Sequence, residues 1–183
     1  MKTIVLDRDG VINEDSENYI KSPEEWVPIA GSLEAIQHLR LQNMRVAVAT
    51  NQSGLARGLF DEIALANIHH KMCYMVEEAG GYIEGVFYCP HGPNEGCTCR
   101  KPEVGLLTQI ESEFQCVLHG AYFVGDSIKD LQAAEAFSMR PVLVRTGKGV
   151  RSEECLADYG LQATPVFDNL LDAVQQLISR NDV

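Results

Sequence analysis

The sequence predicts an α/β fold: a doubly wound, mostly parallel sheet with helices on both faces. Three observations lead there. Short apolar runs alternate with longer segments of helical spacing from one end of the chain to the other. The runs are continuously apolar, as in strands buried from both sides, rather than alternating as in a half-solvated sheet. The first four runs each lead into polar, chemistry-bearing residues, and open α/β sheets bind ligands beyond the carboxyl ends of their strands.

The elements follow in order. Thr3–Leu6 is the first strand, and Ser32–Leu41 is a helix with Leu33, Ile36 and Leu39 at three-residue steps after a Gly-Ser cap. Residues 45–49 form the second strand. Residues 61–79 are helical, with Ile63, Leu65, Ile68, Met72, Met75 and Val76 in period. Gly85–Cys89 is the third strand and residues 104–114 the third helix. Residues 121–124, 128–137, 141–144 and 170–178 complete the alternation. Only residues 90–102 carry neither period.

A chain of 183 residues predicts one domain, here residues 1–183. The formal charge of −11 lacks the basic footprint of a nucleic-acid binder and disfavours anionic membrane surfaces. No apolar stretch approaches the roughly 20 residues of a membrane span. The first apolar run ends at Asp7, too soon for a secretory signal, so a cytoplasmic protein, acting as a monomer, is expected. In a chain this acidic, a phosphorylated ligand must be held by local cations, backbone N–H groups or a metal. Three of the six cysteines fall between positions 89 and 99, and clustered cytosolic cysteines read as metal ligands before disulfides.

After the first strand stands Asp7-Arg8-Asp9-Gly10-Val11-Ile12-Asn13; after the second, Thr50-Asn51-Gln52-Ser53-Gly54; after the third, the cysteine loop delivers Arg100-Lys101-Pro102; after the fourth come Gly125-Asp126-Ser127 and then Asp130. Carboxylates to hold a hard cation, with a lysine and N–H donors for phosphate, thus converge on one rim. Asp7, fixed at a strand end, is placed to attack phosphorus. Asp9, two residues on, shares that face and can protonate the leaving oxygen and then deprotonate water. Asp126 completes a Mg²⁺ site, and Thr50 and Lys101 clamp the phosphoryl oxygens. Singly, each of these residues is as well explained as a turn or a helix cap. Their recurrence at four successive strand ends is not.

Cys89, His91, Cys97 and Cys99 form a closed tetrahedral donor set suited to structural Zn²⁺, which would pin the irregular loop and project Arg100 and Lys101 into the rim. Unliganded thiols or a pair of disulfides are the alternatives. His69 and His70 are adjacent on a helix and cannot share a face; with Cys73, His69 makes only two of the ligands a site needs. Trp26 reads as packing rather than substrate contact.

Asp-Arg-Asp-Gly, Thr-Asn-Gln-Ser, Arg-Lys-Pro and the spacing of Asp126 and Asp130 resemble the four motifs of the haloacid dehalogenase superfamily of phosphatases, whose fold is Rossmann-type. Residues 7–13, 50–58, 89–91, 97–102 and 143–148 are most similar to the D-glycero-D-manno-heptose 1,7-bisphosphate 7-phosphatases. That resemblance implies Asp7 as nucleophile and Asp9 as acid and base. It also implies Mg²⁺ held by Asp7, by Asp9 through its backbone carbonyl, and by Asp126. The implied substrate is a small sugar bisphosphate on the route to a nucleotide-activated heptose for lipopolysaccharide core or a related surface glycan. Two departures stand out: the five residues between His91 and Cys97 are fewer than in enterobacterial members, and Ser127 replaces a lysine of some members. A short loop also occurs in histidinol-phosphate phosphatases, the alternative activity; a catalytically silent, zinc-stabilised phosphate-binding module is another.

The intervals between motifs leave no room for a separate cap domain, which typically needs at least ~50 residues of its own. Loops must therefore enclose the substrate, with Arg8, Asp15, Ser16, Glu17, Asn18, Asn51, Gln52, Ser53, Arg57 and Arg100 as its candidate contacts. For the phosphate remote from Mg²⁺ the candidates are Arg57 and Arg100, with Lys129 weaker; for Arg57 a solvated surface role stands level.

Overall fold

A computed structural model describes residues 1–179 of the chain; the last four positions of the expected domain, 180–183, lie outside the described residues. One six-stranded sheet runs through it: β1 (Thr3–Leu6), β2 (Arg45–Asn51), β3 (Gly85–Cys89), β4 (Tyr122–Gly125), β5 (Arg140–Val144) and β6 (Val166–Phe167). The spatial order is β3-β2-β1-β4-β5-β6, and every pairing is parallel. Parallel neighbours require crossovers, which are α1 (Ser32–Leu41), α2 (Glu62–Glu78), α3 (Gly105–Phe114) and α4 (Ile128–Ala136), followed by the short α5 (Gly149–Glu154) and α6 (Leu170–Ser179). The expected doubly wound α/β fold is what forms. Of the five predicted strands two match and three shift only at their ends, and of the five predicted helices one matches and four shift only at their ends; β6 and α5 lie outside the predicted elements.

Alternate residues of each strand point to opposite faces, and two cores result. Ile4 and Leu6 of β1, Val46 and Val48 of β2 and Val124 of β4 pack with Ile36 and Leu39 of α1, Ile68 and Met72 of α2 and Val174 of α6. Val5, Ala47 and Phe123 point the other way, onto Leu106, Leu107 and Ile110 of α3 and Ala133 and Ala134 of α4. Each large apolar side chain buried this way contributes about 1.5–3 kcal/mol. Trp26 is fully buried in the first core, as a packing residue. Among the described residues, no helix is long and apolar enough to cross a membrane.

The fold puts the strand order's reversal between β1 and β4. Leu6 pairs with Val48 on one side and Val124 on the other, so the chain leaving β1 and the chain leaving β4 emerge side by side. Such a switch point opens a crevice at the carboxyl end of the sheet.

Candidate active site

A cleft of about 440 Å³ occupies that crevice. Its wall carries Asp7 and Asp9 from the loop after β1, Thr50 to Ser53 from the end of β2, Arg100 and Lys101 from the cysteine loop, and Asp126, Lys129 and Asp130 from beyond β4. The four motifs therefore meet in one cavity.

At its floor lies Lys101, only 3% exposed. Its Nζ donates to the Ala49 carbonyl at 2.7 Å and forms ion pairs with Asp7 Oδ1 at 2.8 Å and Asp130 Oδ1 at 2.6 Å. Burial alone would depress its pKa, but the charges of Asp130 and Asp7 outweigh that and raise it. Asp130 is held in turn by the first turn of α4, accepting from the Ser127 hydroxyl at 2.7 Å and the Ser127 backbone N–H at 3.1 Å. Ser127 is thus the helix cap, and Asp130 is a site residue to which the sequence reading gave no role.

The carboxylates of Asp7, Asp126 and Asp130 offer oxygens within 4.8 Å of one another. Burial, then the neighbouring charge of Asp130, pushes Asp7 up to about 7; burial, then Asp130 and Asp7, pushes Asp126 up to about 8. Two buried acids that resist ionising, beside a third carboxylate, form a donor set that can hold a hard divalent cation, which would remove the conflict. Two glycines make the packing around Asp126 possible. A Cβ on Gly10 (φ +81°) would lie 2.1 Å from Asp126 Oδ2, and one on Gly147 (φ +58°) 2.2 Å from it. The Lys148 backbone N–H donates to that same oxygen at 2.8 Å.

Asp9 stands apart from this cluster. Its Oδ1 accepts from Arg8 Nε (3.1 Å) and NH2 (2.9 Å) and from Asn13 Nδ2 (2.9 Å); its Oδ2 accepts from Arg8 NH2 (3.0 Å) and Gln52 Nε2 (2.9 Å). Burial opposes ionisation, but Arg8's charge and the hydrogen bonds outweigh it and hold Asp9 below the ordinary carboxyl value.

This corrects the expectation for Arg8. The residue is completely buried, its guanidinium pairs with Asp9, and it does not line the cavity. Asn51 and Gln52 line the cleft, yet their side chains serve neighbours: Asn51 donates to the Lys101 carbonyl and accepts from its N–H, and Gln52 bridges Asp9 to the Thr50 hydroxyl. Asp15, Ser16 and Glu17 line the mouth with Ser53, whereas Asn18 does not. It is exposed, its carbonyl accepting from Lys21, and the neighbouring Tyr19 and Ile20 take the wall instead. Lys148, unassigned by the sequence reading, closes one side by pairing with Asp15 at 2.9 Å. Arg57 is exposed outside the cavity, over the Tyr19 ring at 6.0 Å. Arg100 lines the cavity, anchored by NH1 to the His91 carbonyl at 3.1 Å.

That carbonyl belongs to the second ligand cluster. Cys89 Sγ, Cys97 Sγ and Cys99 Sγ lie 3.1–3.6 Å apart, with His91 Nδ1 3.6 Å from Cys89 and 3.3 Å from Cys99. These separations far exceed the about 2.05 Å of a disulfide. They fall just inside the about 3.8 Å edge of a sulfur tetrahedron with Zn–S bonds of ~2.3 Å, and the donor set fits Zn²⁺ with no position left for water.

Comparison with known proteins agrees with this chemistry. The HAD-hydrolase-like family pattern matches residues 98–173. A D-glycero-beta-D-manno-heptose-1,7-bisphosphate 7-phosphatase of Pseudomonas putida is 50% identical over 178 residues, covering 97% of this chain and all of its own length. One from Bordetella bronchiseptica is 47% identical over 97% of this chain and 98% of its own. The crystal structure of the B. bronchiseptica D,D-heptose 1,7-bisphosphate phosphatase, complexed with magnesium and phosphate, superposes with a TM-score of 0.92 at 46% identity, covering 98% and 99% of the two chains. Fold and site define a phosphoric monoester hydrolase of the haloacid dehalogenase-like class. Within it, the chain belongs to the D-glycero-beta-D-manno-heptose-1,7-bisphosphate 7-phosphatase family.

Proposed function

We propose that this protein, a single phosphatase domain over residues 1–183, removes the 7-phosphate of D-glycero-D-manno-heptose 1,7-bisphosphate. The observation that carries the reading is the Asp7–Lys101–Asp130 contact beside Asp126, in a chain that matches the named relatives end to end. An Asp7 oxygen attacks phosphorus, the bond from phosphorus to the C7 oxygen breaks, and Asp9, ionised against Arg8 before substrate enters, must take up a proton as the anionic substrate binds and gives it to that oxygen. Water then attacks the aspartyl-phosphate, Asp9 takes its proton, and the bond to Asp7 breaks to release inorganic phosphate. Thr50 and Lys101 hold the phosphoryl oxygens.

Mg²⁺ at Asp7, the Asp9 carbonyl and Asp126 supplies the positive charge the cleft lacks. Six carboxylates line it against four cationic side chains, so once Asp7 and Asp126 ionise a phosphate without a divalent ion meets net repulsion. Zn²⁺ at Cys89, His91, Cys97 and Cys99 holds the loop that carries Arg100 and Lys101. Arg100 is the candidate for the phosphate at C1, because it reaches the cavity from a braced position. The reading includes a cytoplasmic monomer acting on a small molecule in heptose precursor synthesis for a surface glycan, without nucleic-acid or membrane partners.

Phosphate release from the heptose bisphosphate and from histidinol phosphate tests the substrate. The bisphosphate is expected to have the higher kcat/KM by at least tenfold, and equal values would defeat the assignment.

A further inference from the structure

We infer that His69, in the middle of α2, is a positioning residue for Asp9, acting through the buried Arg8. The inference rests on the acid–base role proposed for Asp9.

Arg8 has no solvent contact, so each hydrogen on its guanidinium must find an acceptor inside the protein or lose a hydrogen bond outright. Nε and NH2 are both spent on Asp9. NH1 meets His69 Nε2 at 3.2 Å. An arginine has donors and no acceptor, so this contact is a hydrogen bond only when Nε2 is unprotonated. His69 must therefore be the neutral tautomer with its proton on Nδ1. Its surroundings favour that state: burial first, and then the charge of Arg8, push its pKa down to about 3. The ring is also held sideways, its centroid 5.8 Å from that of Tyr88 on β3. A rigid imidazole seated on the sheet thus fixes the back of the guanidinium whose front grips the acid–base carboxylate.

The consequence is directional. Asp9 must present one oxygen to the sugar oxygen that leaves, and positions its own side chain only as well as Arg8 is positioned. Asn13 and Gln52 hold the edges of the same carboxylate by donating to Asp9 itself. If His69 is removed, NH1 loses that acceptor, and the guanidinium can rotate and draw Asp9 off line.

The test compares His69→Leu, His69→Gln and Asp9→Asn with the wild-type enzyme, using two substrates: the heptose bisphosphate, whose alkoxide must be protonated to leave, and 4-nitrophenyl phosphate, whose phenolate leaves unaided. The value of kcat/KM covers the steps through departure of the leaving group. His69→Leu is expected to lower it about 10- to 100-fold for the sugar, a part of the full acid-catalysis factor, and by no more than about threefold for the aryl ester. His69→Gln, whose side-chain carbonyl restores an acceptor, is expected within about threefold of wild type on both. A crystal structure of His69→Leu is expected to show Arg8 or the Asp9 carboxylate displaced. Equal losses on both substrates, no loss on either, or an unmoved Arg8–Asp9 pair would overturn the role of His69. An Asp9→Asn variant without a leaving-group split would instead defeat the acid–base reading beneath it.

Discussion

The carboxylate cluster of Asp7, Asp126 and Asp130 and the cluster of Cys89, His91, Cys97 and Cys99 both stand at the carboxyl end of the same sheet, and both gather ligands within 4.8 Å. The first draws its members from the loop after β1 and from the loop and first turn of α4 after β4, far apart in sequence. It is lined by a cleft, and it includes a lysine that neutralises only part of its charge. The second takes all four ligands from residues 89–99 and saturates a tetrahedron. Open, charge-frustrated clusters can accept a ligand that relieves them; closed ones can only hold the chain in place. The Arg100 side chain joins the two, hydrogen-bonded to the His91 carbonyl and facing the cleft.

The division of labour can be broken most severely at Asp7. Asp7→Asn keeps the shape but removes the nucleophile, so turnover is expected to fall by at least 10³-fold while the far-UV circular dichroism stays that of the wild type. Steady-state phosphate release checks this, and activity within tenfold of wild type would remove Asp7 from its role.

Stripping the other cluster should give the complementary phenotype. Removing Zn²⁺ with a chelator, or making Cys97→Ser, is expected to lower Tm by several degrees, with no recovery on adding Mg²⁺ alone. Metal analysis of the purified protein and a thermal melt decide it. A zinc-free protein with a Cys97→Ser melt like the wild type's would end the structural-zinc reading.

Arg100 sharpens the comparison, since it transmits the zinc loop's order to the cleft. Arg100→Ala is expected to raise KM for the heptose bisphosphate by about 30-fold, a loss of about 2 kcal/mol, and to change a monophosphate much less. Arg57→Ala, outside the cavity, should raise it less. The two KM values, measured side by side, show whether the second phosphate is read from the braced loop or from the exposed one.

The smallest effect expected is electrostatic. Asp7 and Asp126 have folded-state pKa values of about 7 and 8, against 3.8 for the unperturbed carboxyl. Between those values the folded state holds more protons than the unfolded one, so their contribution to stability falls as pH rises from about 4 to 8. Mg²⁺ relieves the conflict only once the acids ionise. The increase in Tm on adding Mg²⁺ should therefore be small at pH 5 and grow towards pH 8, as a melting series with and without Mg²⁺ would reveal; an increment independent of pH would contradict the shared-carboxylate account.

How much of this was readable in the chain varies residue by residue. Thr3–Leu6 and Gly85–Cys89 matched to the residue, because each run is sharply bounded, the first by Lys2 and Asp7 and the second by Glu84 and Pro90. The two-residue β6 and the short α5 carry too few positions for any period to show. The cysteine loop was legible because its ligands are near in sequence. Arg8 was read the wrong way round: a residue type announces a charge, while the direction it faces depends on which groups the fold brings behind it. His69 gave no signal at all, since its partner lies 61 residues away and its own helix shows only an adjacent histidine.

Composition and order of residues determined the α/β class, the four motifs at strand ends and the Cys/His cluster that can hold zinc, all of which depend on periodicity or short spacing along one chain. Tertiary structure alone decided that Asp130 and Asp7 would share Lys101, that Gly10 and Gly147 would make room against Asp126, and that the buried Arg8 would meet a histidine. These are contacts between elements brought together by parallel pairing around β1. Hydrogen bonds and desolvation act over a few ångströms of space, a distance to which separation along the chain is no guide.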